Sequence, residues 1–136
     1  MPYHVLIVDN QRGVSRLLRS ALETIEQGLT VSEAQSGEEA ILDARQTRTD
    51  LLITDLRLPG ITGLELMRKF RVVNPDVKVI VISDMVDPGM RKQVADAGPD
   101  GFFQKPVPLG DFLDAVVAKV KAGQIRVVCA GFCFFL

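Results

Sequence analysis

Residues 51–60 read LLITDLRLPG, a short apolar run that ends in the carboxylate Asp55 and is followed by the turn residues Leu58-Pro59-Gly60. A brief run of this kind, bounded by turn residues, is typical of a strand covered on both faces of a parallel sheet. In open α/β sheets, ligands bind at the rim formed by the carboxyl ends of the strands. The stretch therefore predicts that Asp55 stands at a ligand-binding rim.

Four further runs make this stretch one of a series. The five predicted strands are residues 5–8, 30–34, 51–54, 77–83 and 101–103. The segments between and after them carry helical signals: an apolar stripe from Val14 to Ile25, a capping box at Ser36 and Glu39, residues 63–74, residues 88–97, and a last helix opened by Pro108. Five βα units in series predict an α/β fold, a doubly wound parallel sheet with helices on both faces.

Size and composition fit one domain without a strong surface field. The chain has 136 residues, 47% of them apolar, and a net charge of −1, which favours neither nucleic acid nor anionic lipid as a direct partner. The first residues do not resemble a signal peptide, and we expect a cytoplasmic location. Cys129 and Cys133 match neither a disulfide framework nor a zinc site, and we interpret them as free thiols.

Polar groups occupy four predicted strand ends: Asp9-Asn10, Asp55, Ser83 and Lys105. Three of these residues have an ordinary interpretation, since Asp9 and Ser83 are suitable helix caps and Asp55 is a suitable turn residue. Those separate roles do not explain why all four fall at the same edge of one sheet. We therefore predict that they converge on a single site.

Several motifs in this order give the chain a family resemblance. They are VLIVDN at 5–10, ITDLRLPG at 53–60, TGLE at 62–65, VIS at 81–83 and GFFQKP at 101–106. Together they resemble the receiver domain of two-component response regulators over about residues 3–122. The resemblance implies a flavodoxin-like sheet of five strands in the order 2-1-3-4-5 with five helices, as in chemotaxis receivers.

For the site, the resemblance implies a phosphoacceptor, which is not an enzyme in its own right. Asp55 would take a phosphoryl group from a histidine of a partner kinase, with Mg²⁺ held by Asp9, Asn10, Asp55 and the main-chain oxygen of Arg57. The resemblance further assigns Lys105 and Ser83 to the phosphoryl oxygens and Phe102 to a switch position. It also implies a cis bond before Pro106.

Three residues depart from the family pattern, and one of them, Pro99, replaces a usual small residue and should stiffen its loop. Asn10 stands where the family usually has a second acid, and this loss of charge is expected to weaken Mg²⁺ binding and slow phosphorylation. The alternative is a pseudo-receiver that binds proteins without being phosphorylated. Asp84 follows Ser83 where a small residue is usual, and it either crowds the site, restores some negative charge or is a solvated loop carboxylate.

The expected partners are a sensor histidine kinase or phosphotransfer protein and a downstream target or output domain. The changing face would comprise the fourth helix, fifth strand and fifth helix, with Arg91, Lys92 and Gln93 exposed. The sequence leaves undecided whether the chain forms a homodimer through that face or through the tail.

Residues 1–122 are assigned to the receiver domain and 123–136 to an apolar tail of unknown role. His4, the only histidine, is predicted to lie on the surface.

Overall fold

The computed structural model describes residues 3–25, 28–84 and 87–132, with side chains up to residue 120. The strands are β1 (Tyr3–Val8), β2 (Leu29–Ala34), β3 (Leu51–Asp55), β4 (Lys78–Ser83) and β5 (Gly101–Gln104). The helices are α1 (Arg12–Leu22), α2 (Gly37–Gln46), α3 (Gly63–Val73), α4 (Pro88–Ala97) and α5 (Leu109–Phe132). Every predicted strand and helix is present, with most bounds shifted by a few residues.

The five strands form one parallel sheet in the order β2-β1-β3-β4-β5, which confirms the predicted topology. The three central strands are almost wholly buried, since they are covered on both faces. β2 at one edge is only half-buried, as its alternating sequence predicts. Because all five strands are parallel, their carboxyl ends lie at the same rim of the sheet.

Two apolar layers enclose the sheet because successive strand residues face opposite sides. On one side, Leu6, Leu52 and Val79 pack with Met67 and Phe70 of α3, together with residues of α2 and α4. On the other side, the alternate strand residues pack with α1 and α5 in a second cluster; they are Val5, Ile7, Leu51, Ile53, Ile80 and Ile82. The chain is thus a three-layer doubly wound fold.

Three local predictions were wrong. His4 is buried inside β1 rather than on the surface, because β1 begins at Tyr3 and His4 pairs with Thr30 of β2. The apolar stripe predicted from Val14 to Ile25 includes Leu17, which lies in α1 but is 52% exposed, and Ile25, which follows the end of that helix. Pro108 precedes α5 instead of opening it, and its carbonyl oxygen accepts the first helical bond from Phe112 N.

The backbone of α5 extends to Phe132, so the expected boundary between residues 122 and 123 falls within this helix. The side chains of the tail, including those of both cysteines, lie outside the part of the chain that the structure describes. The division into domain and tail therefore stays a prediction. No helix in the described ranges has the length and apolar character needed to span a membrane.

Candidate functional site

The carboxyl rim of the sheet brings together the four polar groups that the sequence singled out. Asp9 follows β1, Asp55 ends β3, Ser83 ends β4, and Lys105 follows β5. Asp9 and Ser83 are fully buried, and Asp55 is 4% exposed. Residues up to 96 positions apart in the chain therefore share one rim, because parallel strands end on the same side.

The Lys105 ammonium lies between the two carboxylates. Its Nζ is 2.9 Å from Asp9 Oδ2 and 3.0 Å from Asp55 Oδ2, and it also donates to Gln11 Oε1 at 2.9 Å. One cation thus faces two anions, and the two carboxylates are held close enough to repel each other. The centre of the site carries an excess of negative charge.

Each carboxylate is oriented by a backbone N–H two residues further along the chain. Asp9 Oδ1 accepts from Gln11 N at 2.8 Å, and Asp55 Oδ1 accepts from Arg57 N at 3.2 Å. In both residues the Oδ1 atom is fixed by the loop, so that Oδ2 meets Lys105. The rotamers of both acids are therefore set before any ligand binds.

Helix capping and turn formation, the ordinary roles considered for Asp9, Ser83 and Asp55, do not explain most of the contacts of these residues. The N-cap of α1 is Gln11, without a side-chain capping bond, and the N-cap of α4 is Asp87. Asp9 and Ser83 therefore do not cap these helices. Asp55 does make a turn-like bond to Arg57 N, but its other oxygen contacts Lys105.

Burial and charge alter proton affinity in this site. Burial raises the pKa of Asp55 above its usual 3.8, and the nearby Asp9 carboxylate adds to the rise, while the hydrogen bonds from Lys105 and Arg57 oppose it. Burial acts to lower the pKa of Lys105, but the two carboxylates together outweigh it and the pKa rises. The ammonium therefore stays charged, and Asp55 is a less stable anion than a solvated aspartate.

The backbone around Asp55 is closely packed. Leu56 N donates to Ile82 O at 2.9 Å, and Gly63 N donates to Leu56 O at 3.0 Å. Thr62 caps α3 by accepting from Glu65 N, and a side chain at Gly63 would collide with the Asp55 carbonyl oxygen. α3 therefore begins directly against the strand end that carries Asp55.

The donor set fits Mg²⁺ better than a transition metal. In the described parts of the chain, no group of three or more His, Cys, Asp or Glu side chains could hold a metal ion. The rim instead offers the Asp9 and Asp55 carboxylates, with the exposed Asn10 and Arg57 adjoining them in sequence. Mg²⁺ is usually bound through one or two carboxylates plus waters, and it prefers oxygen ligands.

The remaining predicted residues lie on the β4–β5 side. Lys105 N donates to Ser83 O at 2.7 Å, and the Lys105–Pro106 peptide bond is cis. Phe102 is half-buried and packs against the α2–α4 layer, whereas Phe103 meets Phe112 edge to face at 6.0 Å. The two neighbouring rings thus occupy opposite layers.

Other sequence predictions near the rim can be placed. Arg91, Lys92 and Gln93 on α4 are exposed, as expected. Asp84 is exposed too, which agrees with a solvated loop carboxylate. Sequence reasoning missed Gln11, whose side chain contacts Lys105; its position directly after Asp9-Asn10 at a strand end was the available signal.

Comparison with known proteins gives a consistent family. The model of the response regulator receiver domain matches residues 5–117. The transcriptional activator protein ExaE of Pseudomonas putida is 37% identical over 124 residues, which cover 88% of this chain and 56% of ExaE. The response regulator GacA of Pseudomonas aeruginosa is 32% identical over 120 residues, with the same coverage of 88% and 56%. The chain spans about half the length of these curated relatives.

Solved structures agree on the fold. A CheY-like receiver domain protein from Methanospirillum hungatei superposes with a TM-score of 0.82 at 24% identity, covering 93% of this chain and 99% of the other. The RcsB response regulator of Salmonella typhimurium superposes with a TM-score of 0.77 at 27% identity, covering 88% of this chain and 62% of RcsB.

Proposed function

Because the chain belongs to the response regulator receiver domain family, we propose that Asp55 is its phosphoacceptor and takes the phosphoryl group from a phosphohistidine of a partner kinase. One observation carries the proposal. The Asp55 carboxylate, almost fully buried at the rim, has one oxygen on Lys105 Nζ at 3.0 Å and the other fixed by Arg57 N.

The transfer replaces a P–N bond by a P–O bond. A carboxylate oxygen of Asp55 attacks phosphorus as the bond to the donor imidazole breaks, and the imidazole leaves with the electron pair and takes up a proton. Such a loose transition state needs alignment and charge neutralisation more than covalent assistance. Lys105 supplies a fixed positive charge for the phosphoryl oxygens, and Gln11 helps to hold its ammonium in place.

Receiver domains generally bind Mg²⁺ at the phosphorylation site, and we propose the same here. Asp9, Asp55, Asn10 and the main-chain oxygen of Arg57 would hold the ion. When bound, it would neutralise the negative charge that gathers on the phosphoryl oxygens. Without it, the repulsion between Asp9 and Asp55 opposes the approach of a phosphoryl donor.

Response regulators interact with histidine kinases and output domains, and receiver domains are generally non-enzymatic signalling modules. The curated relatives include a transcriptional activator and the KDP operon transcriptional regulatory protein KdpE of Escherichia coli. For this chain we propose a kinase or phosphotransfer partner, a downstream target or output domain, and a cytoplasmic location. Its homodimer and its output domain stay predictions.

The proposed output is a change at the α4–β5–α5 face. Ser83 would move toward the new phosphoryl oxygens, and Phe102, which is half-buried beside α4, would turn inward. Beryllofluoride, which mimics a phosphoryl group on aspartate, provides the test. Chemical shifts of Phe102 and of Arg91, Lys92 and Gln93 should change when it binds with Mg²⁺, and an unchanged Phe102 would refute this route.

Phosphodonor labelling tests the phosphoacceptor role. The chain is incubated with acetyl phosphate and Mg²⁺, and its intact mass is measured. We expect one added phosphoryl group in the wild type and in Asp84→Asn, a control that removes an exposed carboxylate near the rim. Asp55→Asn and a sample with chelated metal should gain none. Equal labelling of Asp55→Asn would overturn the assignment.

Asn10 is the observation that supports the alternative, a pseudo-receiver that binds proteins without being phosphorylated. Family membership does not favour this alternative. An amide at this position lacks the charge that the family usually supplies beside the metal. In the alternative, the wild-type chain gains no phosphoryl group under any donor or Mg²⁺ concentration and still binds its partner. Labelling at Asp55 excludes it.

A further inference from the structure

A groove lies at the opposite edge of the sheet from Asp55, between the last turns of α2 and α3 and the loop at residues 47–49. This α2–α3 groove has a volume of about 580 Å³, and its apolar lining consists of Ile41, Ala44, Phe70 and Val73. Pockets of about 300–1,000 Å³ with apolar walls are the usual size for small-molecule ligands. β3, which is five residues long, runs from this edge of the sheet to Asp55.

The charged side chains that line the groove all have one sign. Arg45, Arg48 and Lys69 all line it, and among the described residues that form its walls none is acidic. Arg48 is partly engaged, since it lies 3.7 Å from Asp50 and donates to Asn74. Arg45 and Lys69 form no hydrogen bond or ion pair with any residue that the structure describes. Two cations are therefore available to an anion that enters the groove.

Two further features distinguish the groove from an ordinary basic surface. Val73 is 78% exposed at its rim and adjoins Val72, which is 82% exposed, so that two aliphatic side chains meet solvent at this end of α3. Thr49 borders the groove, is 4% exposed, and its hydroxyl has no hydrogen-bond partner within the described residues. A buried polar group normally has a partner. An exposed aliphatic side chain and a hydroxyl without a hydrogen-bond partner among the described residues thus adjoin the same groove.

We propose that the α2–α3 groove binds a small amphiphilic anion, that is, a carboxylate or phosphate joined to an apolar body of about the size of a fused aromatic ring. The apolar body would lie on Ile41, Phe70 and Val73, and the anionic group would meet Arg45 and Lys69. A compact ligand is favoured over a peptide helix because the loop at 47–49 closes one end of the groove. Asn74 holds that end by donating to Thr49 O at 3.1 Å.

The probe is 2-naphthoate, titrated into the ¹⁵N-labelled full chain and followed by amide chemical shifts. We expect saturable shifts at the groove, including Thr47, Thr49 and Phe70, with neutral 2-naphthamide binding about fivefold more weakly. Lys69→Gln and Arg45→Gln should each weaken naphthoate binding about three- to tenfold. Arg68→Gln is the matched control, because Arg68 is the exposed neighbour of Lys69 and does not line the groove.

The proposal is overturned if naphthoate leaves the groove amides unshifted, if the amide analogue binds equally well, or if Lys69→Gln and Arg68→Gln behave alike. It is also overturned if an acidic peptide of alternating Glu and Leu shifts these amides while naphthoate does not. Mg²⁺ added to the same samples reports on the Asp55 rim through a separate set of amides. Failure at the groove is therefore distinguishable from failure of the phosphoacceptor proposal.

Discussion

The two edges of the sheet use carboxylates in opposite ways. At the amino edge, Asp50 Oδ2 accepts from His4 N at 2.9 Å, and Asp100 Oδ2 accepts from Val79 N at 2.8 Å. These acids accept from the second N–H group of β1 and of β4, at positions where the neighbouring strands β3 and β5 have not yet begun. At the carboxyl edge, Asp9 and Asp55 face each other across one ammonium.

The difference separates acids that stabilise the fold from acids that we propose to act in phosphoryl transfer. Asp50 is near Arg48 and Asp100 is near Arg71, at 3.7 and 3.8 Å, so that each amino-edge acid has its own cation. Asp9 and Asp55 share Lys105, and the pKa of Asp55 is raised by burial and by Asp9. Functional sites commonly retain such unfavourable charge at some cost in stability.

The largest expected effect comes from removing the central cation. Lys105→Met should lower the free energy of unfolding by about 3 kcal/mol, because it leaves two buried carboxylates without a neutralising cation. Arg71→Met at the amino edge should cost less, about 1–2 kcal/mol, since its ion pair with Asp100 and its hydrogen bonds to the end of α4 are partly exposed. Urea unfolding at neutral pH measures both. Equal losses would break the distinction between the edges.

Adding a third acid should sharpen the contrast. Two unit charges ~4 Å apart at an effective dielectric of 20 interact by roughly 4 kcal/mol. If about a quarter of this energy remains after solvation is subtracted, the Mg²⁺ affinity of Asn10→Asp should be about fivefold higher than that of the wild type. Without Mg²⁺, the same substitution should lower stability, because it increases the negative charge beside Asp9. Calorimetric Mg²⁺ titration of both proteins is the measurement, and unchanged affinity would contradict the charge argument.

The smallest effect concerns Tyr3 at the amino edge. Burial, with Asp50 and Asp100 adding to it, raises the pKa of Tyr3 from 10.0 to about 12. Its contribution to stability is complete below the unfolded value of 10.0 and is lost as the pH rises toward 12. Tyr3 is the only tyrosine and the chain lacks tryptophan, so near-ultraviolet absorbance follows it alone. Asp50→Asn should lower this pKa, and a wild-type value near 10.0 would contradict the account.

The sequence predicted the fold well where the signal was local. Continuous apolar runs marked the buried strands, and Ser36 caps α2 by accepting from Glu39 N as the capping box predicts. The side chain of Glu39 bonds Gln35 N instead of completing the box at Ser36 N. Such details depend on the loop conformation, which local pattern does not determine.

The carboxyl rim was predictable because topology gathers strand ends, and the family motifs marked the same residues. The amino edge was not. Asp50 binds a backbone N–H 46 positions away, and Arg71 donates to the last carbonyls of α4 at Ala97 and Gly98. Nothing in the local sequence around these residues separates them from solvated charges. His4 was misplaced for a similar reason, since its burial depends on β2 and on Asp43 of α2, 3.5 Å away.

Stability measurements on Asp55→Asn and Asp50→Asn test the central claim most directly. The raised pKa of Asp55 means that wild-type stability falls as the pH rises from the ordinary 3.8 through the folded-state value. Asp55→Asn should therefore be more stable than wild type at neutral pH and lose this advantage in acid. Asp50→Asn should be less stable by about 0.5–1 kcal/mol, because a charge-assisted bond becomes neutral. Shifts of the same sign at neutral pH would contradict the proposed division of roles between the two edges.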